Sequence, residues 1–138
     1  MRFLGLDIGT KNIGVAITDK TGSICSPLSV IKNKNTFDVI KEIINIVEEF
    51  GVTEIAIGLP KNMDNTLGFA AKRSIDFKSE LEKHVECDIH LVDERLTTVQ
   101  AENILISNNY KRQKRKEHID SVSAVLILEA YLRRKGNK

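Results

Sequence analysis

The strongest constraint on the fold is the order in which two hydrophobic periods follow one another along the chain. Segment 2–9, Arg-Phe-Leu-Gly-Leu-Asp-Ile-Gly, and segment 13–19, Ile-Gly-Val-Ala-Ile-Thr-Asp, are short, apolar and glycine-punctuated, as buried strands are. Lys20-Thr21-Gly22 makes a turn into a third strand over roughly 23–31. Three strands joined by short connections predict an antiparallel meander. From Phe37 the period changes: Phe37, Ile40, Ile43, Ile44, Val47 and Phe50 recur at helical spacing, with Lys41, Glu42, Glu48 and Glu49 opposite. Gly51 ends that helix, and Thr53 to Leu59 reads as a buried strand closed by Pro60.

After a polar loop from Lys61 to Gly68, a second helix carries Phe69, Arg73, Phe77 and Leu81 on one stripe. Asp88 to Val92 is a fifth strand, and Thr97 or Thr98 caps a following helix that runs to about Asn108. The last helix is predicted to start near Glu117. Its Ile119, Val122, Ala124, Val125, Leu126, Ile127, Leu128, Tyr131 and Leu132 are apolar on most sides. The order βββαβαβαα predicts a single α/β domain over 1–138. It has a five-stranded mixed sheet, an antiparallel meander followed by βαβ crossovers, flanked by helices on both faces.

With 138 residues, 41% hydrophobic and 29% charged, the chain is of a size to fold as one domain without staples. No apolar stretch approaches the roughly 20 residues of a membrane helix, and MRFLGLDIGT begins structure at once, so a cytoplasmic protein without a membrane partner is expected. Cys25 and Cys87 lie far apart and outside any CxxC pair, which argues for core-like thiols rather than a disulfide framework or zinc ribbon. A net charge of +2 excludes nucleic-acid binding by overall charge alone. Local clustering has to supply it.

Asp7 lies within a strand of apolar and glycine residues, where a carboxylate costs several kcal/mol unless paired, hydrogen-bonded or bound to a cation. It is either a strand-end Asp bonding to the Gly9-Thr10 turn or a site residue. Asp93 and Glu94 directly follow a second apolar strand, and Asp120 is expected at the start of the most apolar helix, where the helix dipole also favours it. Strand ends at the carboxyl edge and a helix N-terminus can converge on one spot. Carboxylates gathered there would repel unless Mg²⁺ or Mn²⁺ sat between them. Two such ions about 3.5–4 Å apart can activate a water on one side of a phosphodiester and stabilise the leaving oxygen on the other. His84, His90 and His118 are scattered and read as surface or satisfied histidines.

Tyr110-Lys-Arg-Gln-Lys-Arg-Lys116 holds Lys111, Arg112, Lys114, Arg115 and Lys116 immediately before the expected Asp120 helix. The run is either a solvated face or a phosphate-binding segment beside the acids. Arg95 either contacts a phosphate or pairs with Asp93 or Glu94. The loop Pro60 to Gly68, with Lys61 and Asn62, follows a buried strand, where α/β sites tend to lie, and is either a substrate-facing loop or a simple connection.

Gly5-Leu-Asp-Ile-Gly-Thr-Lys-Asn-Ile-Gly-Val-Ala16, Gly58-Leu-Pro-Lys-Asn-Met-Asp64, Val92-Asp-Glu-Arg-Leu-Thr-Thr98 and Ile119-Asp120 resemble the signature blocks of the YqgF family. Four ordered blocks, running nearly end to end, are far more specific than any one. The resemblance implies a ribonuclease H-like fold and a nuclease with a two-metal site for Mg²⁺ or Mn²⁺. It points to Asp7 and Asp120 as metal-site acids and to Asp93-Glu94 for the intermediate one, with Glu94 favoured as the ligand because its longer arm can reach in from a strand end. Asn12 stands where many relatives carry Arg, and Asn65 where many carry Gly.

The resemblance implies as substrate either the 5′ end of precursor 16S ribosomal RNA, which links the protein to ribosomal assembly intermediates, or a four-way Holliday junction. Lys11, Lys61, Asn62, Arg95 and the basic run from Lys111 to Lys116 are the expected nucleic-acid contacts. Junction resolution needs two cuts related by two-fold symmetry and so a homodimer, whereas a monomer can trim RNA. A non-catalytic RNA-binding assembly factor is the competing reading. A sugar-kinase-like ATPase, which shares this sheet topology, needs a second lobe that this length does not supply.

Overall fold

A computed structural model describes residues 1–60, 68–93 and 112–136, with side chains of the last segment described for 122–135. Among them the chain forms β1 (Arg2–Ile8), β2 (Asn12–Thr18), β3 (Cys25–Lys32), α1 (Thr36–Phe50), β4 (Val52–Leu59), α2 (Phe69–Glu82), β5 (Asp88–Asp93) and α3 (Arg112–Gly136). The strands make one five-stranded sheet in the order β3-β2-β1-β4-β5. β1, β2 and β3 pair antiparallel, while β1 with β4 and β4 with β5 pair parallel. The meander and the crossovers therefore stand as the periodicity implies. The predicted helix from Thr97 or Thr98 to Asn108 lies outside the described residues.

Alternation along the strands separates two cores. Leu4, Leu6 and Ile8 of β1, Ile13, Val15 and Ile17 of β2, and Ile55 and Ile57 of β4 bury against Val39, Ile40 and Ile43 of α1 and Phe77 and Leu81 of α2. On the other face Phe3, Ala16, Ala56 and Val92 pack under Ala124, Ile127, Leu128 and Tyr131 of α3. The small residues on this second face let one long helix lie close to the sheet. The limit is Gly5, where a Cβ would stand 2.7 Å from the Ala124 carbonyl oxygen.

Local chemistry fixes the ends of α1. The Asn35 side chain accepts from the Asp38 N–H at 2.9 Å, and Gly51 closes the helix in the left-handed region at φ 65°. In the β2–β3 turn, Asp19 Oδ1 accepts from Thr21 Oγ1, Ser23 N and Ile24 N, and these bonds hold its carboxyl below the usual range.

Three expectations need correction. α3 spans Arg112–Gly136 rather than starting near Glu117, so Arg112 to Lys116 of the basic run occupy its first turns and Asp120 sits in the helix interior rather than at its dipolar end. The run Arg112 to Lys116 contains neither glycine nor proline and consists of good helix formers, so nothing local stops the helix from extending back. Periodicity places Phe37 and Phe69 on the apolar stripes of α1 and α2, yet they are 74% and 91% exposed. Each opens its helix, ahead of the turns that rest on the sheet.

Candidate functional site

β1 delivers Asp7 to the α3 face, because Leu6 and Ile8 on either side point into the α1/α2 core. Gly5, two residues back on the same face, lies under Ala124 and Leu128, and the Phe3 ring meets Tyr131 edge-on at 6.3 Å. α3 thus runs antiparallel to β1, with later helix residues over earlier strand residues. Asp7 is half-buried at the carboxyl end of β1, where its Cα partner on β2 is Gly14. Asp120 is one helical turn before Ala124 on α3.

The parallel pairings bring the ends of β1, β4 and β5 to the same edge. Leu6 is level with Ile57, Ile57 with Leu91, and Leu59 with Asp93. Asp93 is exposed there, two strands from Asp7. It shares the parity of Leu91, which packs with the α1/α2 core, whereas Val92 belongs to the α3 face. The edge is therefore common to Asp7 and Asp93, but their faces differ. Lys11 is exposed between β1 and β2. Arg112, Lys114, Arg115 and Lys116 fall in the first turns of α3. Glu94, Arg95, Lys61, Asn62 and Lys111 lie outside the described residues.

Asn12 opens β2, and alternation with buried Ile13 puts it on the α3 face beside Asp7. Its Oδ1 is buried without a hydrogen-bond partner. A carboxylate and an unengaged amide oxygen on one face make a hard-oxygen donor set, which suits Mg²⁺ or Mn²⁺. Among the described residues no three His, Cys, Asp or Glu side chains assemble into a metal site.

His84 and His90 belong elsewhere, and the His118 side chain lies outside the described residues. His84 Nε2 is 3.4 Å from Glu80, and His90 stacks on Tyr131 at 5.1 Å with its Nε2 3.7 Å from Glu54. Burial pushes the Cys25 thiol up to about 11 and raises Cys87 as well, so neither offers a nucleophilic thiolate at neutral pH.

Among solved structures the fold is similar to that of Thermus thermophilus RuvC, with a TM-score of 0.60 and 12% identity over 98% of this chain and 97% of that one. The fowlpox virus Holliday junction resolvase matches with a TM-score of 0.56 and 15% identity, covering 98% and 99%. Such distant likeness defines the fold class, a ribonuclease H-like domain. The profile of the family described as "RuvX: Holliday junction resolvase" matches residues 1–134. The chain is 48% identical over 142 residues to a protein of Thermoanaerobacter pseudethanolicus and 45% identical over 140 residues to one of Halalkalibacterium halodurans. Both matches span 100% of each chain, and both relatives carry the name "Putative pre-16S rRNA nuclease". The chain belongs to the RuvX family, the YqgF family of the sequence resemblance. Among the described residues no helix is long and apolar enough to cross a membrane.

Proposed function

We propose that the protein is a metal-dependent endonuclease that processes the 5′ end of precursor 16S ribosomal RNA. The observation that carries this reading is the position of Asp7. It is a carboxylate at the carboxyl end of β1, on the face where Gly5 admits α3 to backbone contact. Four residues of helix rise about 6 Å and two residues of strand about 6.6 Å. Two strand residues on from Gly5 and four helix residues back from Ala124 are therefore comparable steps, which supports Asp120 as the partner of Asp7. Glu94, which follows β5, is the third acid of this reading.

Asp7, Glu94 and Asp120 would hold Mg²⁺ or Mn²⁺, with Asn12 Oδ1 as a supporting oxygen. When bound, the metal supplies an activated water and charge stabilisation at the leaving oxygen. The chain's own contribution is to orient the carboxylates on rigid elements and to hold the polyanion near them. Arg112, Lys114, Arg115 and Lys116, together with Lys111, Lys11, Lys61, Asn62 and Arg95, take the phosphates. Pairing among Asp93, Glu94 and Arg95 is compatible with that role.

Resolution of a four-way DNA junction by a homodimer is the second reading, favoured by the description of the matched family. One experiment separates them: the pure protein is offered precursor 16S RNA and a four-way junction, each with Mg²⁺ and with Mn²⁺, beside an Asp7→Asn control. Cleavage of the RNA, lost in Asp7→Asn, is expected. Cleavage of the junction alone would establish the resolvase. Binding without cleavage, unchanged in Asp7→Asn, would establish an RNA-binding assembly factor instead.

A further inference from the structure

A cleft of about 510 Å³ opens at the carboxyl end of β1 on the face opposite Asp7. Ile8, the residue after Asp7, forms its floor with Phe77. Asn33 and Thr36 stand on one side and Phe69, Lys72 and Arg73 on the other. Phe69 is 91% exposed, so its ring contributes almost nothing to the core. An adjoining cleft shares Thr36 and Glu80 and is bordered by Phe37, itself 74% exposed. Two aromatic rings thus stand in water beside neighbouring clefts that share Thr36 and Glu80.

The charged lining is balanced, Lys72 and Arg73 against Asp76 and Glu80, and the positive surplus comes from the rim. Asn33 donates from its backbone N–H to the Lys11 carbonyl at 2.8 Å and from Nδ2 to the Gly9 carbonyl at 2.7 Å. These bonds tie the β1–β2 turn to the β3–α1 link, so that exposed Lys11 and Lys34 stand at the rim, with Lys72 and Arg73 in the lining. Of the acids nearby, Glu80 is engaged by Lys83 at 3.5 Å and by His84, Asp38 is bonded to Asn35, and Asp76 lines the cleft.

We propose that this cleft binds unpaired nucleotides of the substrate next to the cleaved phosphate. A base stacks on Phe69, and the phosphates meet Lys11, Lys34 and Lys72. The inference rests on the nuclease reading above and adds a selection for single-stranded flanks. Bases inside a duplex are already stacked and cannot reach an isolated ring, whereas an unpaired base gains from any aromatic face. Ile8 follows Asp7 directly, so the two sites share the carboxyl edge of β1, and a strand leaving the metal site reaches the cleft by crossing that edge.

The chain contains no tryptophan, so Phe69→Trp introduces a single emitter at the proposed platform. In an Asp7→Asn background, which cuts nothing, the protein is titrated with an oligouridylate of about 12 nucleotides, a length within the site sizes of such grooves. An RNA duplex of the same length serves as the comparison. The expected result is quenching of the indole emission of Phe69→Trp by the oligouridylate and not by the duplex. Phe69→Ala should bind the single strand about tenfold more weakly, while Phe69→Trp keeps the parent affinity. Lys34→Ala and Lys72→Ala should each lower the slope of log affinity against log salt by about 0.7. Unquenched emission, or unaltered single-strand affinity in Phe69→Ala, overturns this inference and leaves the nuclease reading intact. A parent protein that binds neither RNA overturns both.

Discussion

Gly5 and Ala124 meet backbone to backbone across the sheet–helix interface. A methyl group at Gly5 would lie 2.7 Å from the Ala124 carbonyl oxygen and 2.8 Å from Leu128 Cβ. Neither atom can swing aside, since one is main chain and the other is the first atom of its side chain. Only glycine permits this approach, and the next residue of β1 on that face is Asp7.

Gly5→Ala should therefore push α3 off the sheet at a cost of about 1–3 kcal/mol, the usual penalty for overpacking. If α3 carries Asp120 to the metal site, cleavage falls further than the loss of folded protein accounts for. Urea unfolding and single-turnover cleavage, measured where the variant is still folded, give the two quantities separately. Activity that tracks the folded fraction alone would remove Asp120 from the site.

Much of this architecture is legible in the residue pattern, because buried strands and an amphipathic helix advertise their periods directly. Gly51 marks its helix end, and Leu4, Leu6 and Ile8 mark their face of β1. The start of α3 is hidden because Arg112 to Lys116 looks like a solvated loop when only apolar periodicity is read, although its residues favour helix. Phe37 and Phe69 mislead for the opposite reason: both fit an apolar stripe, but a stripe does not say where the helix leaves the sheet. The rim of Lys11 and Lys34 depends on Asn33 bonding back to Gly9 and Lys11, a contact across more than twenty residues that no local pattern announces. Its only sequence signal is an Asn-Lys pair just past a strand end. Asn12 and Asp7 share a face because Asp7 is paired with Gly14, which is a fact of register.

The parity of β5 settles the side of Asp93. Asp93 sides with Leu91 and the α1/α2 core, so Asp93→Asn should lower cleavage less than about tenfold. Glu94→Gln, as loss of a ligand, should cost at least the roughly hundredfold upper range found for supporting residues. Single-turnover rates at saturating Mg²⁺ make the comparison. The reverse order would put the intermediate acid on the opposite face of the sheet.

Asn12 Oδ1 is an acceptor that the described structure leaves unsatisfied, and such a group costs about 1–3 kcal/mol. Asn12→Ala is therefore expected to be neutral or stabilising in urea unfolding with EDTA present. With its supporting oxygen gone, the Mg²⁺ concentration for half-maximal cleavage should rise by about 10- to 100-fold. Destabilisation without EDTA dependence, at an unchanged Mg²⁺ requirement, would make Asn12 purely structural.

The far end of α3 is held by a polar cluster that gives stability its own pH dependence. Tyr131 donates its hydroxyl to Glu54, Lys135 Nζ is 3.0 Å from Glu54 Oε2, and His90 lies near the same carboxylate. Burial alone would raise the Glu54 carboxyl, but the bonds from Tyr131 and Lys135, with the charges of Lys135 and His90, outweigh it and hold the group below its ordinary value. Burial and the Glu54 carboxylate together push the Tyr131 hydroxyl up. A carboxyl depressed by folding stabilises the protein above its unfolded value, about 4.3, and loses that contribution as pH falls through the folded value. At pH 7 Glu54→Gln should be less stable by about 1.5–3 kcal/mol, the range for hydrogen bonds to a charged group. The difference should shrink on acidification below about pH 4.3, because the wild type then approaches the neutral variant. Urea unfolding of both proteins across that range tests it, and a gap that stays constant with pH would mean that the charge on Glu54 contributes nothing to holding α3.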